Sequence, residues 1–273
     1  MVETERTEEV DGLAVTWRET GEGAPPPVLY LHGVPNSSVM WAPFLERTGG
    51  LAPDLPGFGS SAKPAHFPYS IAGYERFLDA FVRHLALERL TLVVHDWGAV
   101  GLALAQRRPE LVERLVVISC LPFLSGYRWH RFARAWRRPL VGELLMGFTF
   151  KRGLRLATRE GAAGPLPDAF LDEVWKHFDH GTQRAILKLY RSAPEHELAR
   201  AGERLGAIGA PALVVWGTED PYLPAAFAES TAEALGGEAR VERFEGAGHW
   251  PWLQRPQVVE TVAEFVGLPA GGS

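Results

Sequence analysis

The chain has 273 residues, a net charge of −5 and one cysteine. That length suits a single large α/β domain or a core with an inserted lid. Scattered Lys and Arg give no one-sided basic face of the kind nucleic acid requires, and a lone cysteine, Cys120, excludes an internal disulfide.

From the N-terminus, Met1 to Val10 is acidic and has no apolar stretch of the signal-peptide kind; no run of about 18 apolar residues follows anywhere, so no membrane partner is expected and the cytoplasm is the simplest compartment. Asp11-Gly12 predicts a tight hairpin whose second strand starts at Leu13. After the loop Gly21 to Pro27, Val28 to Leu31 reads as a buried strand ending at His32-Gly33. Ile71 to Leu85 has helical apolar spacing, Leu90 to Val94 is a second buried strand, and Gly98 to Ala105 suits a closely packed helix. Strands follow at Leu115 to Ser119, Ala212 to Trp216 and Arg240 to Phe244, and a helix at Val258 to Val266 closes the pattern.

Alternation of this kind predicts a mostly parallel sheet covered on both faces. It stops between Leu121 and about Ile208, where only helical patterns and loops occur, divided by Gly161 to Pro167. We read this as a helical cap, 121–207, inserted between core segments 1–120 and 208–273, lying over the strand ends where ligands of open α/β sheets bind. Within the cap, Arg128 to Arg138 interleaves with Trp129, Phe132 and Trp136; an amphipathic helix with a solvated basic face explains it better than a membrane or nucleic-acid patch. A Gly-rich tail follows Leu268.

Three strand ends carry chemistry. Val94-His95-Asp96-Trp97-Gly98 has the form of a nucleophile elbow, a sharp strand-to-helix turn that lifts one side chain above the sheet. The competing reading makes Asp96 a simple N-cap. Asp220 follows a later strand, and His249 the next, giving the order nucleophile, acid, histidine. His32-Gly33-Val34-Pro35 follows an early strand, where the backbone N–H groups of Val34 and Trp97 could converge on one carboxyl oxygen.

The motifs His32-Gly-Val-Pro, Asp54-Leu-Pro-Gly-Phe-Gly-Ser-Ser-Ala-Lys-Pro64, His95-Asp-Trp-Gly98 and Gly248-His-Trp-Pro251 resemble those of α/β-hydrolases typified by epoxide hydrolases and haloalkane dehalogenases. Val94 departs from the Gly usual two residues before the nucleophile. The resemblance implies an α/β-hydrolase fold with a helical cap and an alkyl-enzyme ester on Asp96, hydrolysed by water that His249 activates and Asp220 supports. It implies a small apolar substrate, water as co-substrate, and no metal or organic cofactor.

Epoxide opening needs a proton donor, which in epoxide hydrolases is commonly a pair of cap tyrosines. Leu189-Tyr190-Arg191 resembles one such segment, and Tyr127 is the other cap tyrosine. Dehalogenation instead needs donors for a halide: the Trp after the nucleophile, here Trp97, and a second Trp or Asn. Val34 stands where one dehalogenase group has that Asn. The leading expectation is therefore opening of an epoxide to a diol, with dehalogenation next and a ligand-binding or receptor protein on the same scaffold last. His32, Trp97, Phe123, Trp136 and Trp250 are the expected substrate contacts, and the chain is expected to be a monomer or homodimer.

Overall fold

The computed structural model describes residues 3–21, 26–158 and 166–267. Residues 22–25 of the predicted loop Gly21 to Pro27, residues 161–165 of the predicted loop Gly161 to Pro167, and the Gly-rich tail after Leu268 lie outside them.

Strands β1 (Glu3–Val10) and β2 (Leu13–Thr20) form the expected hairpin, with Val10 opposite Leu13 and both Asp11 and Gly12 at positive φ. Strand β3 (Val28–Leu31) leads into helix α1 (Ala42–Thr48) and strand β4 (Gly50–Pro53). Helix α2 (Ile71–His84) is capped by Ser70, whose hydroxyl accepts the Gly73 N–H. Strand β5 (Leu90–Asp96), helix α3 (Val100–Arg107) and strand β6 (Val112–Cys120) complete the first half of the core.

The sheet runs β1-β2-β4-β3-β5-β6, then strands β7 (Ala212–Gly217) and β8 (Ala239–Phe244). Only β1/β2 and β2/β4 pair antiparallel. Side chains of the central strands alternate between two cores, because successive residues point to opposite faces. Leu92, Val94, Leu115, Val117 and Val214 join the core under α2 and α3. Val93, Val116, Ile118, Leu213 and Val215 join the one that holds α1 and the closing helix α12 (Gln257–Phe265).

Between β6 and β7 the described residues form helices and no strand, as expected of a cap: α4 (Arg131–Trp136), α5 (Val141–Gly147), α6 (Lys151–Thr158), α7 (Asp168–Lys176), α8 (His180–Ser192) and α9 (Glu195–Ala201). The basic stretch expected to be one helix is therefore an extended entry followed by the short α4. Helix α10 (Phe227–Ala234) and the short α11 (Pro251–Gln254) flank β8.

The Asp54 motif is the hinge between core and cap. The buried Asp54 carboxylate accepts the N–H groups of Ser38 and Ser60. Gly59 leaves room for it, since a Cβ there would lie 2.1 Å from an Asp54 oxygen. Helix α8 then docks on the same loop: the Thr182 hydroxyl donates to the Gly57 carbonyl, and Lys63 pairs with Asp179 at 2.8 Å. In this way the loop sets the height of the cap above the strand ends.

Candidate active site

Asp96 ends β5 with φ 51° and ψ −119°, a left-handed conformation that a non-glycine residue rarely adopts. A short turn, Trp97–Ala99, then enters α3. The turn is as tight as an elbow requires: a Cβ on Gly98 would stand 2.2 Å from the Leu31 carbonyl oxygen. The Asp96 side chain makes no capping bond to the turn Trp97–Ala99, and the N-cap of α3 is Ala99, which removes the N-cap reading. Instead Oδ1 accepts the Val34 N–H at 2.8 Å. Gly33 permits that approach, because a Cβ there would come within 2.3 Å of the Asp96 Cβ.

His249 follows β8 and Asp220 follows β7. His249 Nδ1 donates to Asp220 Oδ2 at 2.7 Å, and its Nε2 lies 3.7 Å from Asp96 Oδ2. Asp220 Oδ1 accepts the N–H groups of Tyr222 and Leu223, which fixes the carboxylate. All three side chains are buried. Burial raises the Asp96 pKa above the ordinary carboxylate value, opposed by the His249 charge and by the Val34 and Trp97 N–H groups. Burial disfavours the charged form of His249, yet the charge and hydrogen bond of Asp220, with Asp96 behind them, bring its pKa above the ordinary imidazole value.

Two further histidines brace the arrangement without facing a ligand. His95 Nε2 donates to the His249 carbonyl at 2.9 Å, holding that loop against β5. His32, expected to touch substrate, is fully buried outside the cavity wall: Nδ1 donates to the Gly33 carbonyl and Nε2 accepts the Leu55 N–H. It secures the loop that presents Val34.

A cavity of about 300 Å³ opens above Asp96 and His249, walled mainly by cap residues. Its size and apolar wall suit a small organic molecule. Trp136 and Trp250 line it as expected, whereas Phe123 is core and Leu121 takes its place. The Trp97 ring is also outside the wall, stacked on Trp129 at 5.7 Å; its indole N–H lies close to the Tyr190 hydroxyl but makes no well-aligned hydrogen bond among the described residues.

The cap tyrosines differ. Tyr190 lines the cavity and packs edge-on against Trp97 at 5.2 Å. Burial and the neighbouring Asp96 charge raise its pKa well above the ordinary value, so the hydroxyl keeps its proton. Tyr127 also reaches the wall, but its hydroxyl donates to the Tyr222 carbonyl at 3.3 Å. That bond ties the cap to the Asp220 loop and removes Tyr127 from the pair of free donors.

Among the wall residues that the sequence did not single out, Tyr222 and His130 stand beside the triad. Tyr222 sits edge-on to the His249 ring at 5.3 Å. His130 packs against Tyr222 at 4.9 Å, and its Nδ1 accepts the Ala133 N–H as the N-cap of α4. Burial, then the charges of His249 and Arg134, push its pKa down to about 3. His130 is therefore neutral, and with Nδ1 accepting, its proton is on Nε2. Among the described residues no cluster of His, Cys, Asp and Glu could hold a metal ion.

The model of the α/β hydrolase fold family matches residues 26–256. A haloalkane dehalogenase of Mycolicibacterium paratuberculosis is 33% identical over 216 residues, covering 72% of this chain and 69% of that protein. The crystal structure of haloalkane dehalogenase DbeA from Bradyrhizobium elkani USDA94 superposes with a TM-score of 0.85 at 27% identity, over 97% of this chain and 98% of that one. The epoxide hydrolase CorEH shares the fold, with a TM-score of 0.83 at 20% identity over 97% of this chain and 98% of that one. The chain belongs to the α/β-hydrolase family, as an enzyme of the group that holds haloalkane dehalogenases and epoxide hydrolases.

Proposed function

We propose that this hydrolase opens small apolar epoxides to diols through an ester on Asp96. With Oδ1 held by the Val34 N–H, Oδ2 is the oxygen free to attack. It forms a bond to one epoxide carbon while the carbon–oxygen bond breaks, and the departing alkoxide takes a proton from Tyr190. His249 next removes a proton from a water that adds to the ester carbonyl carbon. The Val34 and Trp97 N–H groups stabilise the oxyanion, and Asp220 stabilises the imidazolium. Collapse releases the diol and restores the carboxylate; the imidazolium proton returns to the oxygen side of the site, where Tyr190 is reprotonated.

The observation that carries this reading is Tyr190: it lines the cavity, feels the Asp96 charge, and its hydroxyl interacts with the Trp97 side chain and is held by no backbone acceptor among the described residues. His130, with Nε2–H on the same wall, fits the second donor role that Tyr127 leaves open. The halide route has donors of its own: Trp129 spends its indole N–H on the Ala193 carbonyl, but Trp136 and Trp250 line the cavity, and the Trp250 indole N–H has no partner among the described residues.

Release of halide from a haloalkane is the second reading, favoured by the Trp97 indole N–H, which makes no well-aligned hydrogen bond among the described residues, and by the dehalogenase relatives. It uses the same nucleophile and ester.

A single turnover in heavy-oxygen water tests the shared step: the label is expected on Asp96, and an active enzyme whose Asp96 stays unlabelled would refute the ester. A paired assay on a styrene-oxide-type epoxide and a bromoalkane, with diol and bromide both measured, separates the two leaving groups. Bromide release without diol formation overturns the epoxide reading.

A further inference from the structure

Six large apolar side chains are exposed among the described residues, and all six fall within residues 140–150: Leu140, Val141, Leu144, Leu145, Phe148 and Phe150. Leu140 and Phe148 are 76% and 75% exposed. Three of them lie in α5 and Leu140 and Phe148 cap its ends; the inner face of the helix is apolar as well. Met146 is buried, and Gly142 presses closely on α4 and α8: a Cβ there would stand 2.4 Å from the Trp136 carbonyl oxygen and 2.8 Å from Leu187. Val141, Leu144, Leu145 and Phe148 repeat at three- and four-residue spacing along the outer face. A helix apolar on both faces belongs in an apolar surrounding on both sides, and among the described residues only one side is protein.

Charge identifies the other side. Residues 128–155 carry eight Arg and Lys against one Glu, a net of +7; the rest of the chain carries 20 against 32, a net of −12. The one acid, Glu143, is already paired with Arg191. Arg138 and Arg152 flank the apolar segment, exposed and without an acidic partner among the described residues. A second copy joined through this face by a two-fold axis would bring two such caps together, positive against positive. An anionic bilayer offers the complement: apolar depth for α5 and negative headgroups for the flanking cations. The acidic remainder of the molecule would be repelled, which fixes the orientation.

We propose that the cap docks on an anionic lipid surface through residues 140–150, with α5 at the headgroup–acyl boundary. Leu145 and Phe148 are both exposed and part of the cavity wall. The docked cap therefore turns the mouth of the cavity toward the bilayer, where apolar molecules concentrate. This gives the basic cap stretch a role beyond a solvated face and reverses the expectation of no membrane partner.

Co-sedimentation of the full-length protein tests it, with vesicles of phosphatidylcholine alone and of phosphatidylcholine with phosphatidylserine. Pelleting is expected with the anionic vesicles and is expected to fall as salt rises. Arg138→Gln with Arg152→Gln should weaken it roughly thirtyfold, at about one kcal/mol per cation. Leu140→Ser with Leu144→Ser, neither of them a cavity residue, should abolish it while leaving turnover of a freely dissolved substrate and the thermal midpoint unchanged. Failure of the wild-type protein to pellet with anionic vesicles overturns the proposal. So does equal pelleting with both vesicle types that ignores the Arg changes. Concentration-dependent dimerisation that the Leu pair removes, without vesicle binding, would assign the patch to a second copy instead.

Discussion

The strand ends and the cap place their functional groups by different means. Asp96, Asp220 and His249 stand on turns whose paths are dictated by backbone: positive φ at Asp96, close approach at Gly33 and Gly98, and N–H groups of residues 222 and 223 on the Asp220 carboxylate. In the cap, the relevant groups are aromatic side chains that position one another by packing. Tyr190 touches Trp97, Trp129 and Trp136, and His130 touches Tyr222, Trp129 and Trp136. Backbone geometry tolerates little change and holds a shared chemistry. Side-chain packing can exchange one donor for another and so decide what leaves.

The largest effect should come from the strand-end side. Asp220→Asn keeps the shape of the site but removes the charge that favours protonated His249. A fall of about 10⁴-fold in turnover is expected, the scale seen when the third member of such a triad is neutralised. His249 must be neutral to take a proton from water. Ester hydrolysis therefore rises with pH through its elevated pKa in the wild type, and the limb should move to lower pH in the variant. Single-turnover kinetics across pH would show this; an unmoved limb would break the link between Asp220 and the base.

On the cap side the comparison predicts selective damage. Tyr190→Phe should lower epoxide opening by about 10² to 10³-fold, the range for loss of a positioned acid, and change bromide release from a bromoalkane by less than about threefold, since a halide needs no proton. Equal loss on both substrates would make Tyr190 a packing residue. His130→Phe should cost roughly tenfold on the epoxide, a hydrogen bond's worth, with the same insensitivity of bromide release. His130→Gln, which retains an N–H, should recover part of that loss; if it recovers none, His130 acts only as the cap of α4.

The same division explains what could be read in the sequence. The β5 and β7 ends were legible because short apolar runs stop at Gly- or Pro-containing turns, and the β8 end because its alternating residues stop at a Gly-rich turn; a strand's end fixes where the next side chain goes. The strand β4 escaped notice because it is four residues between Gly49 and Asp54, with a proline at its end and only two buried positions. Its place comes from pairing with β2 and not from its own pattern. His32 and Phe123 were near enough to the site in sequence to look like contacts. One turns its ring into the supporting loop, and the other lies two residues past the wall position at Leu121. His130 left a faint signal, a polar residue just before a helix, which marks a cap and says nothing about a cavity. Only the fold brings it to Tyr222 and the wall that Tyr190 also lines.

Tyr127 gives the sharpest small test, because in sequence it looks like the partner of Tyr190 and in the structure it is engaged elsewhere. Its hydroxyl donates to the Tyr222 carbonyl at 3.3 Å, a long bond across the cap–core boundary. Tyr127→Phe removes that bond and keeps the ring, which packs on Trp129 and Phe227. The expected cost is about 1 kcal/mol or less of stability, read as a shift in the denaturation midpoint, with epoxide turnover within about twofold of wild type because no reacting atom loses a donor. A much larger loss of turnover at unchanged stability would return Tyr127 to the donor pair and displace His130 from it. A change confined to stability would establish that this cap holds one tyrosine for the leaving oxygen and another for the seam between its two regions.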